Sequence, residues 1–278
     1  MKSQPAARTL LLFASLSVAF VAVPLLFWHA SWFGRPLSEA ELGRYLDDNQ
    51  RARRIQHVLS QISDRIVAGD ATVRRWYPKI VALRRHPQVP VRATAAWVMG
   101  QDNRHEEFHA ALLEMLEDPE LMVRRNAALA LVRFGDPSGR AEIVGMLEPH
   151  GVQTPAAGKV FHKVEVGQEV GARTLLARVS SGPGSEVEIR APFSGRLVRR
   201  LVPDGAVVSR GQTLMSLSAE PGQVWEALRG LYLIGEPEDL AAVESWSAAT
   251  GQVPDDVRRQ AVLAAQAIRS RSERASSR

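Results

Sequence analysis

Two stretches of this chain, VRATAAWVMG from Val91 and VRRNAALALV from Val123, share one pattern of apolar and polar positions. Each sets a valine, an arginine, and then alanines with larger apolar residues at helical spacing, which predicts a helix with one buried face. The two starts differ by 32 positions, and a third version, VRRQAVLAAQ, begins at Val257. Ahead of the second lies ALLEMLEDPELM, an apolar-periodic helix closed by Asp118-Pro119, because proline disfavours helix in the residue before it. Helix, turn, helix at a fixed period is a repeat, and one such unit cannot bury its apolar face alone, so several must stack.

The period then breaks. From Val123 to Val257, two periods of 32 leave 70 positions over, which predicts an insertion of that size. RAEIVGML, Arg140 to Leu147, reads as the first helix of a third unit. The second helix of that unit reappears in VWEALRGLYLIGEPEDL from Val224, where IGEPED echoes the FGDPSG of Phe134 to Gly139. Between them, Gly151 to Glu220 is rich in valine and glycine and has no helical period, so it predicts short strands joined by turns. That insert is itself doubled: Pro155, Gly158, Gly167 and Val170 correspond to Pro192, Gly195, Gly205 and Val208. Residues 36 to 78 have helical period, with Ser38 and Glu41 placed for a capping box. The expected organisation is therefore helical repeats over 36–148, a β domain over 151–220, more repeats over 222–270, and a polar, disordered tail over 271–278.

The N-terminus changes the picture of compartment. Thr9 to Phe33 has no charged residue if His29 is neutral, and about 20 apolar residues suffice to cross a bilayer. Lys2 and Arg8 precede it, so residues 1–8 are expected in the cytoplasm, 9–33 as a single uncleaved anchor in the inner membrane, and the remainder outside. A cleaved signal peptide is the competing reading, for which WHAS at the end of the segment is a poor site. Charge adds less. There are 35 Lys and Arg against 30 Asp and Glu, a net +5, with arginines in scattered pairs such as Arg84-Arg85, Arg124-Arg125 and Arg258-Arg259. Without aromatic interleaving, these read as solvated helix faces rather than a nucleic-acid surface, and no nucleic acid is expected as a partner. The absence of cysteine excludes disulfides, thiolate metal sites and cysteine nucleophiles.

The repeat pattern resembles the short HEAT-like repeats, whose DPxxVRxxAAxAL signature is matched by Asp118, Pro119, Val123, Arg124, Ala127, Ala128, Ala130 and Leu131. That resemblance implies a curved solenoid that binds protein partners. The doubled insert, with Gly195, Gly205, Gly211 and Leu214 as its more specific half, resembles the biotinyl/lipoyl carrier-like fold, a barrel-sandwich hybrid. In carriers of that family a lysine stands in the tight hairpin between the halves. Here the corresponding stretch is Ser181, Gly182, Pro183, Gly184 and Ser185, and Lys159 and Lys163 lie some twenty positions earlier. The same fold without lysine is similar to the lipoyl-like domain of periplasmic adaptor (membrane-fusion) proteins, although those usually carry a long coiled-coil hairpin that this chain lacks. The resemblance thus implies a β module with no cofactor.

HEEFH, His105 to His109, satisfies H-E-x-x-H, in which two histidines one helical turn apart hold zinc and a glutamate, here Glu106, activates the bound water. Against it, Asn103 is placed to cap that helix, His105 would fall in its first turn, and no third ligand is evident beyond Glu142, His150 and His162. No catalytic residue and no metal ligand is assigned, with His105, Glu106 and His109 as the weak metal candidates. Arg92, Arg124 and Arg258 are expected to pair with turn acids such as Asp118 and Asp255, or with helix-end carbonyls of a neighbouring repeat. The whole reads as a multidomain chain: one anchor, an all-α HEAT-like solenoid and an inserted all-β barrel-sandwich hybrid. The function expected is a non-enzymatic envelope adaptor binding protein partners in a transport or other membrane complex. A zinc hydrolase and a prosthetic-group carrier are the alternatives, and the oligomeric state is open.

Overall fold

A computed structural model describes residues 36–182, 184–248 and 253–276. The expected cytoplasmic segment 1–8, the anchor 9–33 and Pro183 of the hairpin lie outside the described residues. Among those described, no helix is long and apolar enough to cross a membrane.

The chain divides after Tyr45 into two compact units. In the first, the capping box forms as a reciprocal pair. Glu41 Oε2 accepts from the Ser38 backbone N–H at 2.9 Å, and Ser38 Oγ accepts from the Glu41 N–H at 3.4 Å. It opens helix α1, Glu39–Leu46.

In the second unit five helices precede the strands after α2 (Ala52–Val67): α3 (Tyr77–Ala82), α4 (Val89–Met99), α5 (Glu106–Met115), α6 (Leu121–Arg133) and α7 (Arg140–Val144). Three follow them: α8 (Pro221–Ile234), α9 (Leu240–Ser247) and α10 (Asp255–Ser276). The valine and alanine positions of α4 and α6 form the buried seam, with Val91, Ala95, Ala96, Val123, Ala127 and Ala128 fully enclosed. Small residues there set the spacing between repeats. A Cβ on Gly100 would come within 2.8 Å of the Ala130 Cβ, and one on Gly139 within 2.6 Å of the Ala128 Cα.

The arginines behave as ladder rungs. Arg92 Nη1 donates to the carbonyls of His86 (2.9 Å) and Pro87 (3.4 Å) while Nε and Nη2 grip both oxygens of Asp118, at 2.7 and 2.9 Å. One period later Arg124 Nη1 donates to the carbonyls of Asp118 (2.9 Å) and Pro119 (3.2 Å). Its Nε turns instead to Glu142 at 2.5 Å, because α7 leads into a strand where the earlier unit has its Asp-Pro turn. Arg258 pairs with Asp255 within its own helix.

Eight antiparallel strands occupy the interruption: β1 (His150–Gln153), β2 (Gly158–His162), β3 (Glu169–Val170), β4 (Leu175–Gly182), β5 (Ser185–Arg190), β6 (Gly195–Arg200), β7 (Val207–Val208) and β8 (Thr213–Ala219). They make two four-stranded sheets, ordered β1-β8-β6-β3 and β5-β4-β2-β7. Exchanging β1 with β5, β8 with β4, β6 with β2 and β3 with β7 turns one order into the other, so the sequence doubling is a two-fold in space. Each half completes the other's sheet: Gly158 of the first half pairs with Val208, and Gly195 of the second with Val170. At both glycines a side chain would collide with a backbone carbonyl of the next strand, Ser180 for Gly158 and Ser218 for Gly195.

His150 pairs with Leu217, so the first and last strands are neighbours and the insert leaves and re-enters the array at one place, the turn between α7 and α8. The array continues past it. Both α6 and α7 pack on α8, and Arg140 donates to Asp239 (3.0 Å) and Glu238 (3.1 Å) across the whole insertion. FGDPSG and IGEPED become equivalent 3-10 turns, Pro137–Gly139 and Pro237–Asp239. One continuous apolar cluster joins the two regions, from Val132 and Ile143 through Val160, Leu176, Leu197 and Leu217 to Val224 and Leu228.

The C-terminal segment differs from expectation. Residues from Arg271 were expected to be disordered, yet α10 continues to Ser276. The Arg271 guanidinium donates to the carbonyls of Tyr232 (2.6 Å), Gly235 (2.8 Å) and Leu231 (3.2 Å) at the C-terminal end of α8, the last of which also accepts from the Gly235 N–H. A polar residue read as solvated is thus a fastening.

Candidate functional site

HEEFH does not close into a ligand set. His105 is the N-cap residue of α5 rather than part of its first turn, and Asn103 does not cap the helix: its side chain donates across to the Arg133 carbonyl at 2.6 Å. The His105 ring packs between Tyr77 and Phe108, 4.8 Å from each. His109 faces the following repeat, with Nε2 2.6 Å from Asp136 Oδ2 and its ring 5.1 Å from Phe134. One period earlier Tyr77 holds the same place and donates its O–H to Asp102 at 3.0 Å. His109 is therefore a rung of a second ladder between successive repeats. Burial pushes the Asp136 carboxyl up, but hydrogen bonds from the Ser138 side chain and backbone, with His109, hold it below its usual value. Burial, with the Asp102 bond, pushes the Tyr77 phenol up to about 12. The other proposed ligands are engaged separately: Glu142 with Arg124, His162 with the Val202 carbonyl at 3.0 Å, and His150 edge-on to Phe193 at 5.7 Å. Among the described residues no group of three His, Cys, Asp or Glu is placed to hold a metal.

The hairpin joining the halves closes between β4 and β5, with Gly182 opposite Ser185. Gly182 and Gly184 have φ of 150 and 75, conformations that side chains disfavour, and the Ser181 hydroxyl ties the turn to the Ala157 carbonyl at 2.7 Å. No lysine stands in residues 181–185. Lys159 is nonetheless close in space: β2 pairs with β4 so that Lys159 lies opposite Ser180, at the base of the hairpin.

The junction between array and β module carries the residue that periodicity did not single out. Arg125, grouped with Arg124 as a solvated pair, is 5% exposed. Its guanidinium lies 4.3 Å from the centre of the Phe193 ring, and Nη2 donates to the Gly145 carbonyl at 3.1 Å. Among the described residues Nε and Nη1 have no hydrogen-bond partner. Burial lowers its pKa to about 10, with Glu142 opposing. His150 is lowered too, first by burial and then by Arg125 and Arg124, which favours the neutral ring. The signal was available in the repeat register, since one period before Arg125 stands Ala93, a charged side chain thus replacing a buried alanine. On the other side of the junction the Trp246 indole donates to the Leu147 carbonyl at 2.9 Å. Beside it a cleft of about 400 Å³ lies between β6, the end of β8 and the segment containing Val253 and Pro254.

Comparison with known proteins agrees with this geometry region by region. A family model described as HEAT repeats matches residues 78–153, and one described as "Biotin-requiring enzyme" matches residues 150–217. No curated protein matches the chain. A solved structure titled "Structure and function of a single-chain, multi-domain long-chain acyl-CoA carboxylase" is 21% identical over 44% of this chain and 14% of that one, with a TM-score of 0.25. The chain carries HEAT repeats and, set into them, a domain of the biotinyl/lipoyl type.

Proposed function

We propose that the protein is a non-enzymatic adaptor of the cell envelope, held to the inner membrane by residues 9–33 and binding protein partners of a transport or other membrane complex. The observation that carries this reading is how the β module is mounted. It sits in the turn of one repeat, with Arg125 stacked on Phe193 where array and module meet, while Trp246 bonded to Leu147 and Arg140 bonded to Asp239 keep the array continuous across it. Such mounting presents one module at a set place on an array of the kind that binds proteins. The hairpin of the module, Ser181 to Ser185, then serves as an exposed turn rather than an attachment point.

The test is purification of the tagged full chain from membranes under mild detergent, with quantitative identification of what accompanies it. Retention in the membrane after alkaline washing, with a stoichiometric protein partner, is expected. A chain that washes off and purifies without partners would overturn the reading. Lys159 at the base of the hairpin gives a second reading, prosthetic-group carriage, one specific observation in its favour. Intact-mass measurement decides it: the adaptor reading expects the mass of the unmodified chain, and a biotinyl or lipoyl adduct on Lys159 would replace it.

A further inference from the structure

The two-fold of the β module makes two equivalent faces, and the array covers one of them. On the covered face Glu169, Gly195, Arg196, Ser218 and Ala219 form the sheet wall of the 400 Å³ cleft, and Trp246, Val253 and Pro254 form the opposite wall. The strand exchange maps those five positions onto Val207, Gly158, Lys159, Ser180 and Ser181. These line a groove of about 340 Å³, completed by Phe161 and Gly182 and open to solvent, with Val207 77% and Phe161 38% exposed. The faces differ in charge. Arg196 is paired with Glu169 at 3.0 Å, whereas Lys159, its counterpart, has Val207 where the acid would stand and makes no ion pair among the described residues.

We propose that this open groove docks an apolar turn of a partner protein, one bearing an aromatic or proline residue beside a carboxylate. The covered face shows the kind of occupant that fits, since Trp246, Val253 and Pro254 form its far wall and Pro254 is followed in the chain by Asp255 and Asp256. An unpaired lysine in an apolar groove selects for such an acid. The N-terminal 35 residues of this chain contain none, so charge argues against them as the occupant. In a second copy, the matching segment already lies on its own module. The proposal rests on the adaptor reading and names the surface by which it would operate.

A labelled synthetic peptide of residues 240–258, LAAVESWSAATGQVPDDVR, is titrated into the full chain and followed by fluorescence anisotropy. Saturable binding is expected, weakened about tenfold or more in V207E, which restores the acid opposite Lys159, and likewise in K159E. E169V, on the covered face, is the control expected to leave binding unchanged. Both groove positions are exposed, and thermal melts of the variants check that they fold. No saturable binding, or binding indifferent to both substitutions, would overturn the proposal. So would self-association in sedimentation velocity that V207E abolishes, since the occupant would then be a second copy. Partners that still accompany V207E from membranes would sink the groove and leave the adaptor reading standing. A native chain that purifies alone would sink the adaptor reading itself.

Discussion

The helical array and the β module both arise by repetition, but one repeats by translation and the other by rotation, and their tolerance of change follows from that difference. In the array each unit touches only its neighbours, so rungs such as Arg92 to Asp118 and His109 to Asp136 are local, and an insertion can enter at a turn. In the module each half supplies an edge strand to the other's sheet, β3 beside β6 and β7 beside β2, so neither half is complete alone. A translational repeat fails piecemeal; a rotational one fails as a whole.

The sharpest way to break that contrast is at the paired glycines of the module. Gly158→Val and Gly195→Val each drive a side chain into a strand carbonyl, and each is expected to cost about 3 kcal/mol or more. Because the halves interlock, limited proteolysis should open both sheets in either variant. Cleavage confined to one half would show that the module is not the closed unit described.

At the junction, where the two kinds of repetition meet, Arg125→Ala is expected to cost about 2 to 4 kcal/mol in urea unfolding through the lost packing on Phe193. Arg125→Met keeps the apolar stem and loses one bond, to the Gly145 carbonyl, while removing two buried donors without a partner among the described residues, so it should stay within about 1 kcal/mol of the native chain. Equal losses in both would mean that the charge itself holds the module in place.

Within the array the effects should be smaller. Asp136→Ala removes one rung together with the cap on the Ser138 N–H and is expected to cost about 2 kcal/mol, whereas His109→Tyr, which copies the Tyr77 to Asp102 rung, should preserve the melting temperature. A collapse of the fold in His109→Tyr would contradict the equivalence of the two rungs.

The smallest effect is one of pH. The Tyr77 phenol is raised from 10.0 to about 12 in the folded chain, so its contribution is fully present below 10 and is lost as pH rises from there towards 12. Tyr77→Phe should flatten that alkaline limb of a stability profile and lower the neutral region by about 1 kcal/mol, the contribution of the bond to Asp102. An alkaline limb identical in both chains would remove Tyr77 as its source.

Much of the architecture is legible in the chain because both repeats bury regular patterns. Valine and alanine at helical spacing announce the array, and glycines at Gly158 and Gly195 announce the doubled sheets, since backbone crowding leaves no other residue there. The site was less legible. HEEFH satisfies a motif by spacing alone, yet the N-cap position of His105 aims its ring at Tyr77 while His109 turns to the next repeat. Arg125 looked like one of a solvated arginine pair and Arg271 like the start of a disordered tail, because charge in a sequence carries no record of what it faces.

The sequence by itself determined the repeat period, the place of the insertion and its internal doubling, all of which follow from local spacing and from which positions must be small. Only the tertiary structure decided which of the two equivalent faces the array covers, that Arg125 is enclosed against Phe193, and that Lys159, some twenty positions from the hairpin along the chain, stands at its base. Periodicity describes how an element buries its own face. It does not state which other surface meets that face, because strand pairing and helix packing join residues whose separation along the chain sets no limit on their distance in space.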